Sequence, residues 1–204
     1  MEVIRRGAEA EIRKDVWMGR DVIVKSRVPK AYRHPDLDSS LRASRTKNEA
    51  RLIQEARRLG VPTPIIYDVD VIGSEMVMQE VKGPRVKDLL ESAEEPERVD
   101  LCREIGRLVA LLHKGSMTHG DLTTSNMIFS EGRVWFIDFS LGGKNATVEE
   151  MGVDLHLLKE AFQSAHSGML HLFDVILASY SEHFDKAPEV IRKIKDIEDR
   201  GRYT

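Results

Sequence analysis

The stretch HGDLTTSN at residues 119–126 decides the fold, together with the tetrapeptide IDFS at residues 137–140. Between them, two apolar runs flank a Glu-Gly pair and predict a β-hairpin. Such a hairpin would bring Asn126 and Asp138 to the same end of a two-stranded ribbon. Two neighbouring oxygen ligands suit a hard cation such as Mg²⁺. With Asp121 they have the spacing that phosphoryl transfer from Mg-ATP uses for a base and two metal ligands.

Length and composition narrow the class of protein. The 204 residues can form one unit that buries roughly 70% of its unfolded surface. The single cysteine, Cys102, excludes an internal disulfide, and its apolar surroundings predict a buried side chain in a reduced compartment rather than a catalytic thiol. No apolar run approaches the roughly 20 residues that span a bilayer, and the first residues lack the apolar segment of a signal peptide. We therefore expect a soluble, cytoplasmic protein with no membrane partner.

Two regions of different periodicity predict an α+β fold of two lobes within one domain, residues 1–204. In the first lobe, residues 1–81, short alternating runs indicate strands, and one apolar stripe at helical spacing indicates a long helix. Gly60 and Pro62 would end that helix. The predicted elements are strands within residues 3–13 and 17–25, a basic loop over 27–40, a helix over about 41–59, and strands over 64–71 and 75–81.

The second lobe, residues 82–204, is predicted to be mostly helical. Pro96 suits a first helical turn, and an apolar face continues from there to Gly115. Thr147-Val148-Glu149-Glu150 is a capping box that opens a helix through Phe162. Two further helical segments follow, with breaks near Gly168 and Pro188.

The order of these elements resembles the protein-kinase fold. The strand Val22-Ile23-Val24-Lys25 would present the lysine that meets the α- and β-phosphates of ATP. A lysine at a strand end is usually only a solvated tip, but its position before the helix and the HGD loop favours the functional interpretation. The following helix offers Glu49 or Glu55 as the carboxylate that orients Lys25, unless both are solvated helix charges, and we prefer Glu49.

The stretch MVMQEVKG at residues 76–83 looks like the hinge of a kinase. Met78 would be the gatekeeper, and backbone groups of Gln79 and Val81 would face adenine. Alternating methionines in a strand are more often plain core. Here they lie between the lysine-bearing lobe and the HGD lobe, where a nucleotide pocket must be, and this position favours the hinge.

Departures from ordinary protein kinases are equally informative. The phosphate-covering loop should carry several glycines, but this chain has only Arg6-Gly7-Ala8-Glu9-Ala10 there. Gly120 stands where the catalytic-loop arginine is expected, Ser140 replaces the last residue of the DFG motif, and no Ala-Pro-Glu follows. A new helix near Thr147 leaves little room for a phosphorylated activation loop. We predict a minimal fold without an extended activation segment, regulated by a partner.

These peculiarities together resemble the small atypical Ser/Thr kinase or ATPase of the KEOPS complex, the PRPK-type family of archaea and eukaryotes. The most specific stretch is the basic insert after the strand lysine, since ordinary kinases have nothing comparable there. The resemblance covers nearly the entire chain. Its motifs are GAEA at residues 7–10, KSRVPKAYRHPDLD at 25–38, NEARL at 48–52, GVPTP at 60–64, HGDLTTSN at 119–126 and VDL at 153–155.

The resemblance implies a role for each candidate residue. Asp121 would be the catalytic aspartate, Lys25 and Glu49 the phosphate-positioning pair, and Asp154 the brace of the catalytic loop. The implied ligands of ATP are Gly7, Ala8, Glu9, Ala10, Lys25, Met78, Gln79 and Val81, and the implied ligands of Mg²⁺ are Asn126 and Asp138.

The resemblance also implies partners and a process. The chain would work beside a threonylcarbamoyl transferase subunit and other small KEOPS subunits in forming the threonylcarbamoyladenosine modification of tRNA, and tRNA would be reached through the complex. The net charge of −3 does not itself point to nucleic acid. A basic cluster over residues 25–47 could contact phosphates, but a charged loop and helix face are usually only solvated.

Three functional interpretations remain open from the residues alone. The first is a Ser/Thr-type kinase or ATPase that supports tRNA modification. The second is a small-molecule phosphotransferase, because antibiotic and sugar kinases also use an HGDxxxxN loop, although they usually have a larger helical lobe. The third is a nucleotide-binding regulatory scaffold without turnover. The presence of Lys25, Asp121, Asn126 and Asp138 argues against complete loss of chemistry.

Overall fold

The computed structural model describes residues 2–7 and 9–201, and it has the two-lobed α+β architecture of a small kinase. The first lobe is a five-stranded antiparallel sheet in the order β1-β2-β3-β5-β4, with one long helix packed against it. Its elements are β1 (Glu2–Arg6), β2 (Ala10–Trp17), β3 (Arg20–Arg27), α1 (Pro35–Arg58), β4 (Ile66–Asp70) and β5 (Glu75–Gln79).

A tight turn at Met18-Gly19 fixes the register of β2 on β3. Both turn residues have positive φ, 49° and 75°, which is the geometry of a hairpin turn whose twist matches that of the strands. The predicted break before Trp17 is therefore wrong, because β2 runs straight through it to the turn. Asp15 lies within β2 and lines the cleft between the lobes.

Helix α1 begins at Pro35 rather than near residue 41, so the second half of the predicted basic loop is helical. Pro35 occupies the start of the helix, where its missing N–H costs nothing, and Asp36 and Asp38 lie in the first turn, where the helix dipole favours negative charge. Asp38 is buried and accepts hydrogen bonds from Arg42 at 2.7 Å and from the backbone of Lys30 at 3.3 Å. The proline thus starts this helix instead of interrupting a loop.

The second lobe is helical apart from short strands, and its helices match the predicted segments closely. Thr147 forms the expected capping box with Glu150, and Pro188 lies inside the first turn of the last helix rather than between helices. Its elements are α2 (Val86–Ser92), α3 (Glu95–Lys114), β6 (Met117–Thr118), β7 (Met127–Ser130), β8 (Arg133–Phe136), β9 (Gly143–Lys144), α4 (Val148–Ala165), α5 (His171–His183) and α6 (Ala187–Gly201).

Helix α3 is the centre of the second lobe and carries its largest buried face. Cys102 lies on that face, and burial raises the pKa of its thiol to about 12, which agrees with an unreactive core side chain. Gly106 lets α3 and α5 approach closely, because a Cβ at this position would lie 2.3 Å from the carbonyl oxygen of Ile176. No helix in the described part of the chain is long and apolar enough to cross a membrane.

Backbone contacts join the two lobes at fixed places. The carbonyl of Pro62 accepts a hydrogen bond from the N–H of Phe136 at 2.9 Å, so the segment after α1 is tied to β8. Within the second lobe, the N–H of Phe129 in β7 donates to the carbonyl of Pro84 at 3.0 Å, so the chain that leaves the first lobe lies on the same hairpin. The lobes therefore meet along the β7–β8 hairpin, although the boundary between residues 81 and 82 stays a prediction.

We expect Gly106→Ala to destabilise the protein by about 1–3 kcal/mol, even though alanine favours helices, because the new methyl group overlaps the backbone of α5. Urea unfolding followed by circular dichroism measures the change. Gly168→Ala is the matched control, since a Cβ placed on Gly168 would have nothing within 4 Å, and it should change the free energy of unfolding by less than about 0.5 kcal/mol. Equal effects of the two substitutions would contradict the close α3–α5 contact.

Candidate active site

A cleft of about 890 Å³ lies between the sheet and the second lobe. Strands β1–β3 form its roof, the segment after β5 forms its back, and the β7–β8 hairpin forms its floor. Most of the predicted site residues line it. They are Lys25, Glu49, Met78, Gln79, Val81, Asn126 and Asp138.

Lys25 is the centre of a buried group of charges. Its Nζ donates hydrogen bonds to Glu49 Oε1 at 2.6 Å and to Asp138 Oδ1 at 2.8 Å. Lys25 is 7% exposed and Glu49 is 2% exposed. Burial alone would lower the pKa of Lys25, but the two carboxylates outweigh it and raise the pKa above its usual value. The lysine therefore stays protonated and presents a fixed positive charge in the cleft.

Arg27 shares the same carboxylate, and sequence reasoning missed it. Its Nη2 donates to Glu49 Oε2 at 2.6 Å, so one buried glutamate pairs with two buried cations. Lys25 and Arg27 are two residues apart on β3 and therefore lie on the same face of the sheet. This two-residue spacing could have predicted from the sequence that Arg27 lies beside Lys25. Glu55, the alternative partner of Lys25, instead pairs with Lys144 at 3.3 Å and Arg58 at 3.7 Å near the surface.

Asp138 connects this group to the second lobe. Burial would raise its pKa, but the charge of Lys25 and hydrogen bonds from Lys25 and Ser140 Oγ hold the pKa well below its usual range. Asp138 has φ of 65°, an uncommon backbone conformation for a residue with a side chain. The carboxylate is therefore ionised and held in place, with one oxygen that has no hydrogen-bond partner among the residues described.

Asn126 and Asp121 form the other half of the predicted metal and base arrangement. The Nδ2 of Asn126 donates to the Oδ2 of Asp121 at 2.8 Å and to its carbonyl oxygen at 2.9 Å. These two acceptors fix the amide so that Oδ1 is its outward oxygen. Asp121 itself is half-buried, does not line the cleft, and is reached from it through Asn126.

The donor set fits Mg²⁺ only if phosphates and water supply the remaining ligands. One carboxylate oxygen of Asp138 and one amide oxygen of Asn126 remain available, and Mg²⁺ commonly binds to one or two protein oxygens plus nucleotide phosphates. Over residues 2–7 and 9–201, no group of three or more His, Cys, Asp or Glu side chains forms a complete metal site. The arrangement is therefore suited to a metal that arrives with a nucleotide.

Asp154 braces the catalytic loop as the resemblance implied. It is buried in α4 and accepts hydrogen bonds from the backbone N–H groups of His119 at 2.6 Å and Gly120 at 2.8 Å. The His119 ring adds a second brace, because its Nε2 donates to the carbonyl of Ile137 at 3.0 Å while its Nδ1 accepts the N–H of Asp121 at 3.3 Å. Burial lowers the pKa of His119, in agreement with this neutral ring.

Gly120, which replaces the arginine of ordinary kinases, is required by the shape of the chain here. Its φ is 82°, and a Cβ would lie 2.1 Å from the carbonyl oxygen of Leu141. Likewise, a Cβ on Gly142 would lie 2.7 Å from the carbonyl oxygen of Thr118. The segment after Asp138 therefore lies directly on the catalytic loop and then pairs β9 with β6, so it reaches Thr147 without an extended loop.

The turn predicted to cover the phosphates lies outside the lining of the cleft, although Glu9 is 3.8 Å from Arg27. The N–H of Gly7 donates to the carbonyl of Ala10 at 2.9 Å, and Glu9 forms an ion pair with Arg45 at 2.9 Å. Gly7, Glu9 and Ala10 do not line the cleft, and Ala8 lies outside the described residues. Their role in covering a nucleotide stays a prediction.

The hinge residues do line the cleft. Met78 on β5 is buried beside the register position of Ile23, and Gln79 ends the strand. The backbone N–H of Gln79 is already committed to the carbonyl of Ile65 at 2.8 Å. Hydrogen bonds to the adenine ring would therefore have to come from the remaining backbone groups of Gln79 and from Val81.

This fold and this arrangement of lysine, aspartates and asparagine define a kinase-like domain. The family model of the RIO domain matches residues 19–163, and the chain belongs to the RIO domain family. It is thus a kinase- or ATPase-type enzyme of atypical form.

Relatives narrow the family further. The chain is 44% identical to the KEOPS complex subunit Bud32 of Pyrococcus abyssi, over all of this chain and 96% of that protein. It is 41% identical to a probable serine/threonine-protein kinase BUD32 homolog of Archaeoglobus fulgidus, over 97% of this chain and 94% of that protein. These matches place the chain in the Bud32 family.

A longer relative has a second part. The chain is also 44% identical, over its full length, to a probable bifunctional tRNA threonylcarbamoyladenosine biosynthesis protein of Methanothermobacter thermautotrophicus. The chain spans 37% of the length of that protein.

We expect Glu49→Gln to lower the free energy of unfolding by about 3–5 kcal/mol, because it leaves two buried cations, Lys25 and Arg27, without their shared carboxylate. Glu55→Gln, on the same helix but paired near the surface, should cost about 1 kcal/mol or less. Chemical denaturation at neutral pH compares the two. A Glu55 variant as unstable as the Glu49 variant would contradict the assignment of Glu49 as the partner of Lys25.

Proposed function

We propose that the chain is a Mg-ATP-dependent atypical Ser/Thr protein kinase or ATPase, and that the cleft between the lobes is its active site. The observation that carries this proposal is the contact of Lys25 Nζ with both Glu49 and Asp138. It joins a fixed cation from one lobe to an ionised candidate metal ligand from the other, at the place where a triphosphate would have to lie.

In this proposal each residue has a distinct task. Lys25 meets the phosphate oxygens, and Glu49 keeps it oriented and charged. Asp121 accepts the proton of the attacking hydroxyl or water through the carboxylate oxygen that Asn126 does not occupy. Asp154 and His119 hold the loop so that Asp121 needs no rearrangement during the reaction.

Mg²⁺ would be held by Asn126 Oδ1 and Asp138, and it would neutralise charge on the phosphates during transfer. Adenine would lie against Met78 and contact the backbone near Val81. The low pKa of Asp138 supports this assignment, because a metal ligand must be ionised at working pH.

The proposed process is the threonylcarbamoyladenosine modification of tRNA within a KEOPS complex. The support comes from relatives whose names refer to the complex or to that modification. We propose a threonylcarbamoyl transferase subunit as the direct partner, with other small KEOPS subunits beside it and tRNA reached through the complex. A reduced, cytoplasmic location is part of the same proposal.

Of the two other interpretations, the structure offers less support for a small-molecule phosphotransferase. The second lobe consists of α2–α6 packed around α3, and the cleft is already lined by the proposed nucleotide-binding residues. A regulatory scaffold without turnover keeps the same fold, so only activity measurements separate it from an enzyme.

We expect Asp121→Asn to lower phosphoryl transfer or ATP hydrolysis by roughly 10²–10⁴, the usual scale for loss of a general base, while nucleotide binding is retained. Radiolabelled ATP measures both autophosphorylation and released phosphate. Asp100→Asn, at an exposed position on α3 where it pairs with Arg103, is the matched control and should keep wild-type turnover. Wild-type turnover in the Asp121 variant would refute its role as the base.

We expect Asp138→Asn to weaken Mg²⁺-dependent nucleotide binding more than Asp121→Asn does, because it removes a charged metal ligand. Calorimetric titration of a non-hydrolysable ATP analogue, with and without Mg²⁺, separates the two contributions. Equal losses in both variants would show that the two aspartates do not have distinct roles.

We expect a partner protein, rather than activation-loop phosphorylation, to control the rates of autophosphorylation and ATP hydrolysis. The reason is that the segment from Asp138 to Thr147 is short and lies on the catalytic loop. Adding the transferase should suppress autophosphorylation and couple ATP hydrolysis to the tRNA reaction. Rates are compared for the isolated chain and the reconstituted pair, before and after phosphatase treatment. Unchanged rates with the transferase, together with activity lost on dephosphorylation, would contradict this regulation.

A further inference from the structure

Two arginines of the cleft have no task in the mechanism above. Arg5 lies on β1 in the roof, and Arg85 immediately precedes α2 in the floor. In the described part of the chain, neither forms an ion pair with a carboxylate. The other cations that line the cleft do: Lys14 with Glu80 at 2.7 Å, Lys25 with Glu49 at 2.6 Å, and Lys82 with Asp21 at 2.8 Å.

The backbone holds Arg85 firmly against the floor of the cleft. Gly83 allows the segment to lie on β7, since a Cβ there would be 2.0 Å from the carbonyl oxygen of Phe129. Arg85 then forms an antiparallel bridge with Ile128, and its Nη1 donates to the carbonyl of Ser125. The guanidinium is thus fixed next to the residue that precedes Asn126, the candidate metal ligand.

Arg5 and Arg85 line the same cleft, one from its roof and the other from its floor. Burial lowers the pKa of Arg85, the positive charge of Arg5 lowers it further, and the charges of Asp88 and Asp138 oppose both effects. Two like charges that face one cleft from opposite lobes repel each other, and a bound anion removes that repulsion. The polar groups of the site therefore favour an anionic ligand between the two lobes.

The chemistry of the two side chains suits the phosphates of a nucleotide. A guanidinium is planar and donates paired hydrogen bonds that match the oxygens of a phosphate or a carboxylate, and in a nucleotide cleft the anion is a phosphate. Because Arg85 lies beside the loop that carries Asn126 and within the field of Asp138, the anion lies toward the metal end of the cleft rather than the adenine end.

We propose that Arg5 and Arg85 form a two-sided clamp on the polyphosphate of the bound nucleotide, in addition to Lys25. This inference rests on the proposed function, since it assumes that the cleft is the nucleotide site. One arm belongs to the sheet and the other to the floor, so each phosphate that they share draws the lobes together. The clamp makes affinity depend on the number of phosphates, whereas adenosine alone does not engage it.

The test is calorimetric titration of adenosine, ADP and ATP without metal, so that the loss of a metal ligand cannot mask the effect. Arg85→Gln and Arg5→Gln should each weaken ATP binding about tenfold, the equivalent of one charge-assisted hydrogen bond, and leave adenosine affinity within about twofold of the wild type. Lys82→Gln is the control: it removes a cation of the same cleft that already has a carboxylate partner, and it should change ATP binding by less than about twofold.

The outcomes separate this inference from the proposed function. A wild-type chain that binds neither ATP nor adenosine overturns the nucleotide site itself. Wild-type ATP binding that both arginine variants retain overturns the clamp alone. If Arg85→Gln lowers the affinities for ATP and adenosine equally and also lowers the melting temperature, Arg85 only supports the loop at Ser125. The Arg5→Gln variant then decides, because Arg5 is exposed and only a clamp predicts that its loss weakens ATP binding without weakening adenosine binding.

Discussion

The structure depends on the buried contact of Lys25 with Glu49 and Asp138. Burying a charge is costly unless it is paired and hydrogen-bonded, and here each charge depends on the others. Glu49 comes from α1, the cations from β3 and Asp138 from the second lobe, so one electrostatic group fixes the sheet, the helix and the floor of the cleft. Such a group is also preorganised for a ligand, because a bound phosphate needs only to replace Asp138 as the anion beside Lys25.

The second constraint is the close packing of residues 141–142 on the catalytic loop. It explains two departures from ordinary kinases by one cause. Gly120 stands in place of the loop arginine because no side chain fits beside Leu141, and the short path to Thr147 follows from the pairing of β9 with β6. Asp154 then completes the loop by accepting its first two backbone N–H groups. The catalytic loop is thus held by backbone contacts on both sides.

Local sequence patterns predicted those elements of the fold that depend only on neighbouring residues. The hairpin after Asn126, the capping box at Thr147 and the apolar face of α3 are all visible in the sequence, since each depends on neighbouring residues. The start of α1 was missed because residues 35–40 were assigned to the basic loop, although a proline such as Pro35 also begins helices. Arg85 was missed because its partner, the carbonyl of Ser125, comes from a distant part of the chain, whereas Arg27 could have been found from its place two residues after Lys25 on the same strand. The sequence favoured Glu49 over Glu55 as the partner of Lys25, but only the orientation of α1 in the structure shows that Glu49 faces Lys25.

The most direct test of the account is a crystal structure of the chain with a non-hydrolysable ATP analogue and Mn²⁺, whose anomalous scattering locates the metal. The account predicts a metal peak about 2.0–2.3 Å from Asn126 Oδ1 and a carboxylate oxygen of Asp138, with the triphosphate against Lys25 while the Lys25–Glu49 contact persists. A nucleotide bound outside the cleft, or a metal peak away from both Asn126 and Asp138, would contradict it.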